Sequence, residues 1–332
     1  LELCHAAASA FLNTCPAAPS GPAPASVADV PGADVMCSGM PSCPGTVNGG
    51  QCTWQRQLCV TCREGGDGTV YMRVQSNGLP PHCFTAPAAP LGLDVDYEVP
   101  FNTPVALDPE DGFPIPAPSL NVSTQAEVTA AVCGPPGSIT PDPADMVTNG
   151  AQNLRTFVAV STTGVALLNA MSAERMDPFL PAAWSGGTTN LAPESVDMCV
   201  SHPTASGLYH FHSLSPCLVS NDVPAEPCGG ANAAVCANRL VEYGAEQFGA
   251  LPGVYLVGMA KDGRMLLAPR VYGEEVTGRD LCNGVAFDGN GDGVRESYAY
   301  YASSKFPYII GCMGPGTHPD VTPECTTNGR AS

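Results

Sequence analysis

"GVYLVGMAKDGRMLLAPRVY", residues 253–272, decides the fold class. Two apolar runs flank Lys261-Asp262-Gly263, and an Asp-Gly pair supplies the positive φ values that a tight hairpin turn requires. "LRTFVAVSTTGVALLNAM" (154–171) reads as two further strands around a Thr-Thr-Gly turn. "TVYMRVQS" (69–76) alternates apolar and polar residues as a half-buried strand does, and "SYAYYASSKFPYIIGC" (297–312) is strand-like again. Helical signals are few. "ANAAVCANRLVEYGAEQFG" (231–249) places Val235, Cys236, Leu240 and Tyr243 at helical spacing, and residues 1–15 suit a short helix. The expectation is a mainly β protein with one or two short helices. No internal repeat is evident.

Cysteine usage sets the compartment. The 16 Cys of this 332-residue chain divide into Cys4, Cys15, Cys37, Cys43, Cys52, Cys59, Cys62 and Cys83, and Cys133, Cys199, Cys217, Cys228, Cys236, Cys282, Cys312 and Cys325. Even parity on both sides predicts two separately disulfide-stapled modules, with no bridge between the sets, in an oxidising compartment. Cys59-Val-Thr-Cys62 has zinc-ribbon spacing but lacks the second pair a ribbon needs. The chain starts at Leu1 without Met, as after signal cleavage. Secretion, to the extracellular space or cell surface, is expected. No apolar run is long enough to span a membrane. A net charge of -18 with only two lysines, Lys261 and Lys305, argues against nucleic acid and anionic membranes.

Composition divides the chain. Residues 1–86 form a Cys-rich N-terminal module that contains a Pro/Ala/Gly-rich stretch, 16–34, expected to be extended rather than packed. Residues 87–120 read as a Pro-rich connector with one or two edge strands, since proline is excluded from central ones. Residues 121–332 form a larger β-rich domain. A sequon at Asn121 marks a glycosylation site, with a weaker one at Asn13.

Two stretches carry metal-ligand patterns. In "GLYHFHSLSPC" (207–217), strand alternation projects His210 and His212 to one face and Tyr209 and Phe211 to the other. A His-x-His pair places two imidazoles on one zinc or copper ion. His202 supplies a third ligand if residues 203–206 turn the chain back, and Asp197 offers a carboxylate. The alternative is a buried layer of neutral, hydrogen-bonded histidines beside Cys199 and Cys217, with no metal. In "DGNGDGVRE" (288–296), Asp288, Asn290 and Asp292 occupy positions 1, 3 and 5 of a calcium loop. Val294 offers its carbonyl at position 7 and Glu296 sits at 9, while Ala299 stands where a bidentate acid is expected. No HExxH, GxSxG or phosphate-loop pattern occurs, and no catalytic residue is assigned.

Four blocks in order resemble the YHYH domain family: "TTGVALLNAM" (162–171), "DMCVSHPTASGLYHFHSLSPCL" (197–218), "LVGMAKDGRMLLAP" (256–269) and "DLCNGVAFDGNGDGVRESYAYYASSKFPYIIGCMG" (280–314). The resemblance covers roughly 150–315 and implies a secreted or surface β domain without a well-established activity. Phe211 replaces the motif's second Tyr, and Val285 and Ala299 stand where relatives often carry histidine. If those histidines complete a metal site in the family, the site here is incomplete, which favours the hydrogen-bonded layer.

The expected function is that of an extracellular structural or surface-assembly protein, disulfide-stapled and calcium-stabilised. It would self-associate, or bind other matrix or surface proteins, through its N-terminal module and Pro-rich arms such as "LDVDYEVPF". The other reading is a secreted metal-binding protein or metalloenzyme using His202, His210 and His212.

Overall fold

The computed structural model describes residues 1–105, 145–173, 177–179, 192–219, 239–249, 251–289, 295–316 and 324–325. These residues are mainly β, with two helices, α1 (Glu2–Ser9) and α2 (Leu240–Glu246). A three-stranded antiparallel sheet comprises β1 (Ala33–Ser38), β2 (Thr46–Asn48) and β3 (Gln51–Arg56), in the order β1-β3-β2. A four-stranded antiparallel sheet runs in chain order through β4 (Leu58–Glu64), β5 (Val70–Ser76), β6 (Val95–Pro100) and β7 (Val147–Thr148).

The site is carried by an eight-stranded sheet. Its strands are β8 (Phe157–Ser161), β9 (Ala166–Leu168), β10 (Ser201–Pro203), β11 (Tyr209–Phe211), β12 (Leu256–Ala260) and β13 (Met265–Leu267), then β16 (Gly284–Phe287) and β17 (Ser297–Tyr301). Two ribbons, β14 (Arg270–Val271) with β15 (Glu274–Glu275) and β18 (Cys312–Met313) with β19 (Glu324–Cys325), lie outside it. The strand order is β10-β11-β9-β8-β12-β13-β17-β16.

That order conceals a repeat which composition and spacing do not disclose. β8 and β9 form a hairpin with a bulge between Phe157 and Ala159; β12 and β13 form one with a bulge between Leu256 and Gly258. β11 then joins β9 in parallel, as β17 joins β13. β10 completes one half antiparallel to β11, as β16 completes the other antiparallel to β17. At the centre Val160 faces Met259, flanked by Ala159 opposite Ala260 and Ser161 opposite Gly258. The two halves are thus related by a pseudo-twofold axis through the β8–β12 pair. The expectation of no repeat is corrected: apolar core positions tolerate one another's side chains, so register persists while only a few identities, such as Asp197 with Asp280, Cys199 with Cys282 and Tyr209 with Tyr298, remain.

Each face of this sheet is covered. Phe157, Val160, Ala166, Leu168 and Met259 pack with Leu58, Val60, Met72, Val74 and Tyr97 of the four-stranded sheet. Val158, Leu167, Tyr209, Phe211, Leu266, Tyr298 and Tyr300 belong to the other cluster, which also takes in Trp54 and Phe84. Gly263 ties the two sheets at one corner. At φ +82 it turns the β12–β13 hairpin, and a Cβ there would lie 1.9 Å from the Pro100 carbonyl oxygen.

Two Pro-rich expectations change. Residues 16–34 are not free of the fold: the carbonyls of Pro24 and of Val27 and Val30 accept from the side-chain amides of Gln75 and Gln57, and Val27 heads a 3₁₀ turn, Val27–Asp29. The amides of Gln75, buried on β5, and of Gln57, half-buried between β3 and β4, need acceptors, and this stretch supplies them. β6 is an interior strand, paired with β5 and β7, not an edge. Its sole proline, Pro100, is the last residue of the strand, where a missing N–H is tolerated. "LDVDYEVPF" is therefore engaged within its own chain rather than free as an arm.

All eight N-terminal cysteines pair with one another, as Cys4–Cys62, Cys15–Cys59, Cys37–Cys83 and Cys43–Cys52. Cys199–Cys217 and Cys282–Cys312 are bridged in the C-terminal set, so among the described residues the sets do not mix. No helix among the described residues is long and apolar enough to cross a membrane.

Each half carries the same polar clasp. The Tyr209 hydroxyl donates to Asp197 Oδ2 at 2.6 Å, and Asp197 Oδ1 accepts from the backbone N–H of Cys199 and Ser201. The Tyr298 hydroxyl donates to Asp280 Oδ2 at 2.7 Å, and Asp280 Oδ1 accepts from Cys282 and Gly284. Removing one hydroxyl leaves a buried carboxylate short of a donor. Tyr209→Phe and Tyr298→Phe are each expected to destabilise by about 1–3 kcal/mol in urea unfolding. Losses below about 0.5 kcal/mol for both would show that the clasps are dispensable.

Candidate metal centre

The clasp places the histidines. With Asp197 holding the turn before β10 to Tyr209 on β11, His202 is register partner to His210. Tyr209 and Phe211 face the core with ring centroids 6.1 Å apart, so His210 projects to the opposite face. His212 follows on the same side, and the three rings come together: 4.5 Å between His202 and His210, 4.6 Å between His210 and His212, and 5.8 Å between His202 and His212. One ligand nitrogen from each lies within 4.8 Å of the others, so the cluster could hold a metal ion.

Hydrogen bonding fixes the protons. His210 Nδ1 lies 3.0 Å from the Leu208 carbonyl oxygen and His212 Nδ1 lies 2.6 Å from that of Asn169. A carbonyl only accepts, so each Nδ1 carries a hydrogen and each Nε2 of the neutral ring is left with a lone pair. These two Nε2 atoms face one another at 3.0 Å. Two acceptors cannot hydrogen-bond to each other, so two lone pairs are left side by side in one buried space. A proton is disfavoured, because burial, followed by the neighbouring histidines, lowers the pKa of His210 well below the usual imidazole value. Burial also lowers that of His212, against the raising influence of Glu194.

Glu194 lies beside the cluster. Its Oε2 lies 3.2 Å from His202 Nε2 and 3.4 Å from His212 Nε2. Both Glu194 Oε2 and His202 Nε2 are buried without an aligned hydrogen-bond partner, close enough to pair but aimed past one another. Side-chain exposures of 20% for His202 and 18% for Glu194 leave the cluster reachable from a pocket of about 610 Å³, whose wall includes Asn169, Thr204 and Ser206.

The third ligand expected from sequence, His202, is in place. Asp197 is not a ligand: its carboxylate is consumed by the clasp, and burial pushes its pKa up to about 6 against the opposing hydrogen bonds. Glu194, which no sequence pattern singled out, lies beside the cluster instead, against His202 and His212. Val285 and Ala299 pair with each other on β16 and β17, in the other half of the sheet, so their lack of histidine leaves this cluster intact. Of the calcium loop, Asn290, Asp292 and Val294 lie outside the described residues, as does Asn121. Asp288 and Glu296 border the loop next to the Phe287–Ser297 pair that ends the β16–β17 hairpin.

A second group, His82 with Cys199 and Cys217, also gathers ligand-type atoms. Its sulfurs are bonded to each other, so no thiolate is available to a metal. His82 Nδ1 lies 2.9 Å from the Cys83 carbonyl oxygen, which assigns it the hydrogen.

Comparison with known proteins returned no matching family model, no matching curated protein and no matching solved structure. The YHYH resemblance rests on its four sequence blocks alone.

Burial lowers the His82 pKa to about 4. The unfolded chain, with a pKa near 6.5, takes up a proton on acidification that the folded chain refuses. Stability is therefore full above about pH 6.5 and is lost as the pH falls towards 4, by about 3 kcal/mol from this residue. His82→Leu is expected to flatten the acid limb of stability against pH, measured by denaturant unfolding. An unchanged limb would remove His82 as a source.

Proposed function

We propose that this chain is a secreted metal-binding protein that holds one divalent transition-metal ion, zinc or copper, on His202, His210, His212 and Glu194. One observation carries the reading: the Nε2 lone pairs of His210 and His212 lie side by side, 3.0 Å apart, in a buried site where neither ring readily takes a proton. A separation of 3.0 Å is close to that of two nitrogens bound at about 2.0–2.1 Å to one ion. Three imidazoles and a carboxylate suit zinc or copper rather than calcium or magnesium, which prefer oxygen ligands. The carbonyls of Leu208 and Asn169 act as outer partners that fix each ring's tautomer and orientation. Secretion is supported by the disulfides. An ion on this cluster would border the pocket, where a small ligand with a donor atom could reach it.

Elemental analysis after zinc or copper loading is expected to find one equivalent per chain. His210→Ala/His212→Ala should bind less than a tenth of that while keeping its far-ultraviolet circular dichroism. Glu194→Gln should weaken binding tenfold or more. Metal at a hundredfold excess over Kd should raise the unfolding free energy by about 2.7 kcal/mol. A folded parent that binds neither ion at micromolar concentration overturns the reading.

A further inference from the structure

The pseudo-twofold axis gives the metal cluster a counterpart. Asp280 and Tyr298 repeat Asp197 and Tyr209, bond for bond. Cys282, equivalent to Cys199, is likewise bridged to a cysteine downstream of the second strand, Cys312 in one half and Cys217 in the other. The turn residue before β10, Val200, has φ +55, and its equivalent before β16, Asn283, has φ +67. Val200 N–H donates to the Asp197 carbonyl as Asn283 N–H does to that of Asp280. Strand register then assigns partners. His202 opposite His210 corresponds to Val285 opposite Ala299. Phe211 opposite Leu167 corresponds to Tyr300 opposite Leu266, so His212 corresponds to Tyr301. Glu194, three residues before the clasp aspartate, corresponds to Thr277. Consistent with that, Thr277 and Val285 line a common pocket of about 280 Å³ as Glu194 and His202 line the larger one.

We infer that the eight-stranded sheet is a duplicated four-stranded unit whose C-terminal copy holds a vacated counterpart of the metal cluster, at Thr277, Val285, Ala299 and Tyr301. The copy kept everything that sets backbone geometry: the bulged hairpin, the clasp, the bridge and the parallel pairing. It exchanged every imidazole and the carboxylate for side chains that are weak ligands or none. The four positions of one half are interchangeable with those of the other, and imidazoles restored at the second set converge on a divalent transition metal. Uptake of metal there rests on the metal-binding reading of the first cluster; exchange of side chains does not.

Zinc titration with elemental analysis tests this on three chains. The parent is expected to bind one equivalent. The restored variant, Thr277→Glu/Val285→His/Ala299→His/Tyr301→His, is expected to bind two. The reciprocal variant, Glu194→Thr/His202→Val/His210→Ala/His212→Tyr, is expected to bind none and to unfold in a single cooperative transition. Ala299 is fully buried, so Val285→His/Ala299→His/Tyr301→Ala serves as a roomier restoration, with a weaker second site as its expected result. Folded restored chains that bind only one equivalent, while the parent binds one, overturn the inference and leave the metal reading standing. A parent that binds none overturns the metal reading, and folding of the exchange variants then decides the duplication. Failure of both the reciprocal and the restored chains to fold overturns it.

Discussion

The meeting of β10 and β11, which carries His202 and His210, is held by one buried carboxylate. Asp197 is removed from water, which costs several kcal/mol for an unpaired charge, and hydrogen-bond donors compensate, among them the Tyr209 hydroxyl and the N–H groups of Cys199 and Ser201. Those donors lie on the turn before β10, at the head of β10 and on β11, so the carboxylate sets where the two strands meet. A slip of one residue would turn His210 into the apolar core and Tyr209 out of it. The clasp on one face of β11 and the histidine cluster on the other are two consequences of the same register.

The cluster itself is shaped by burial. In water, two imidazoles 3 Å apart would share a proton or separate. Here the Leu208 and Asn169 carbonyls pin both Nδ1 hydrogens, and the surroundings penalise an imidazolium. What remains is a set of lone pairs aimed inward from a rigid frame. The Cys199–Cys217 bridge closes the loop that carries all three histidines, limiting how far the rings can relax apart.

Duplication accounts for the sheet's mixed pairing. Two parallel contacts, β9 with β11 and β13 with β17, sit at equivalent places in an otherwise antiparallel sheet. Each requires a crossover connection, and each crossover carries the clasp aspartate and the bridged cysteine. Selection for geometry and selection for ligands act on opposite faces of the same strands. The ligand face can therefore drift in one half while the clasp face remains.

Much of the architecture was legible along the chain because its causes are local. Asp262-Gly263 fixed a hairpin, alternation fixed the inward faces of β5 and β11, and cysteine parity separated two bridge sets. The convergence of His210 and His212 followed from strand period alone. The rest required distant parts of the chain to meet. β6 became central because β7, far along the sequence, pairs with its second edge. Asp197 was a plausible ligand by nearness, yet the clasp consumed it. Glu194 lies in a stretch without periodic pattern, and only folding brings its carboxylate between His202 and His212. The repeat was easily missed because register carries most of it, and the identities that remain, such as Asp197 with Asp280, Cys199 with Cys282 and Tyr209 with Tyr298, are few and widely spaced. Sequence specified the side chains and their local period; tertiary structure decided which lone pairs share a point in space, since that depends on strand order and burial, which no local pattern encodes.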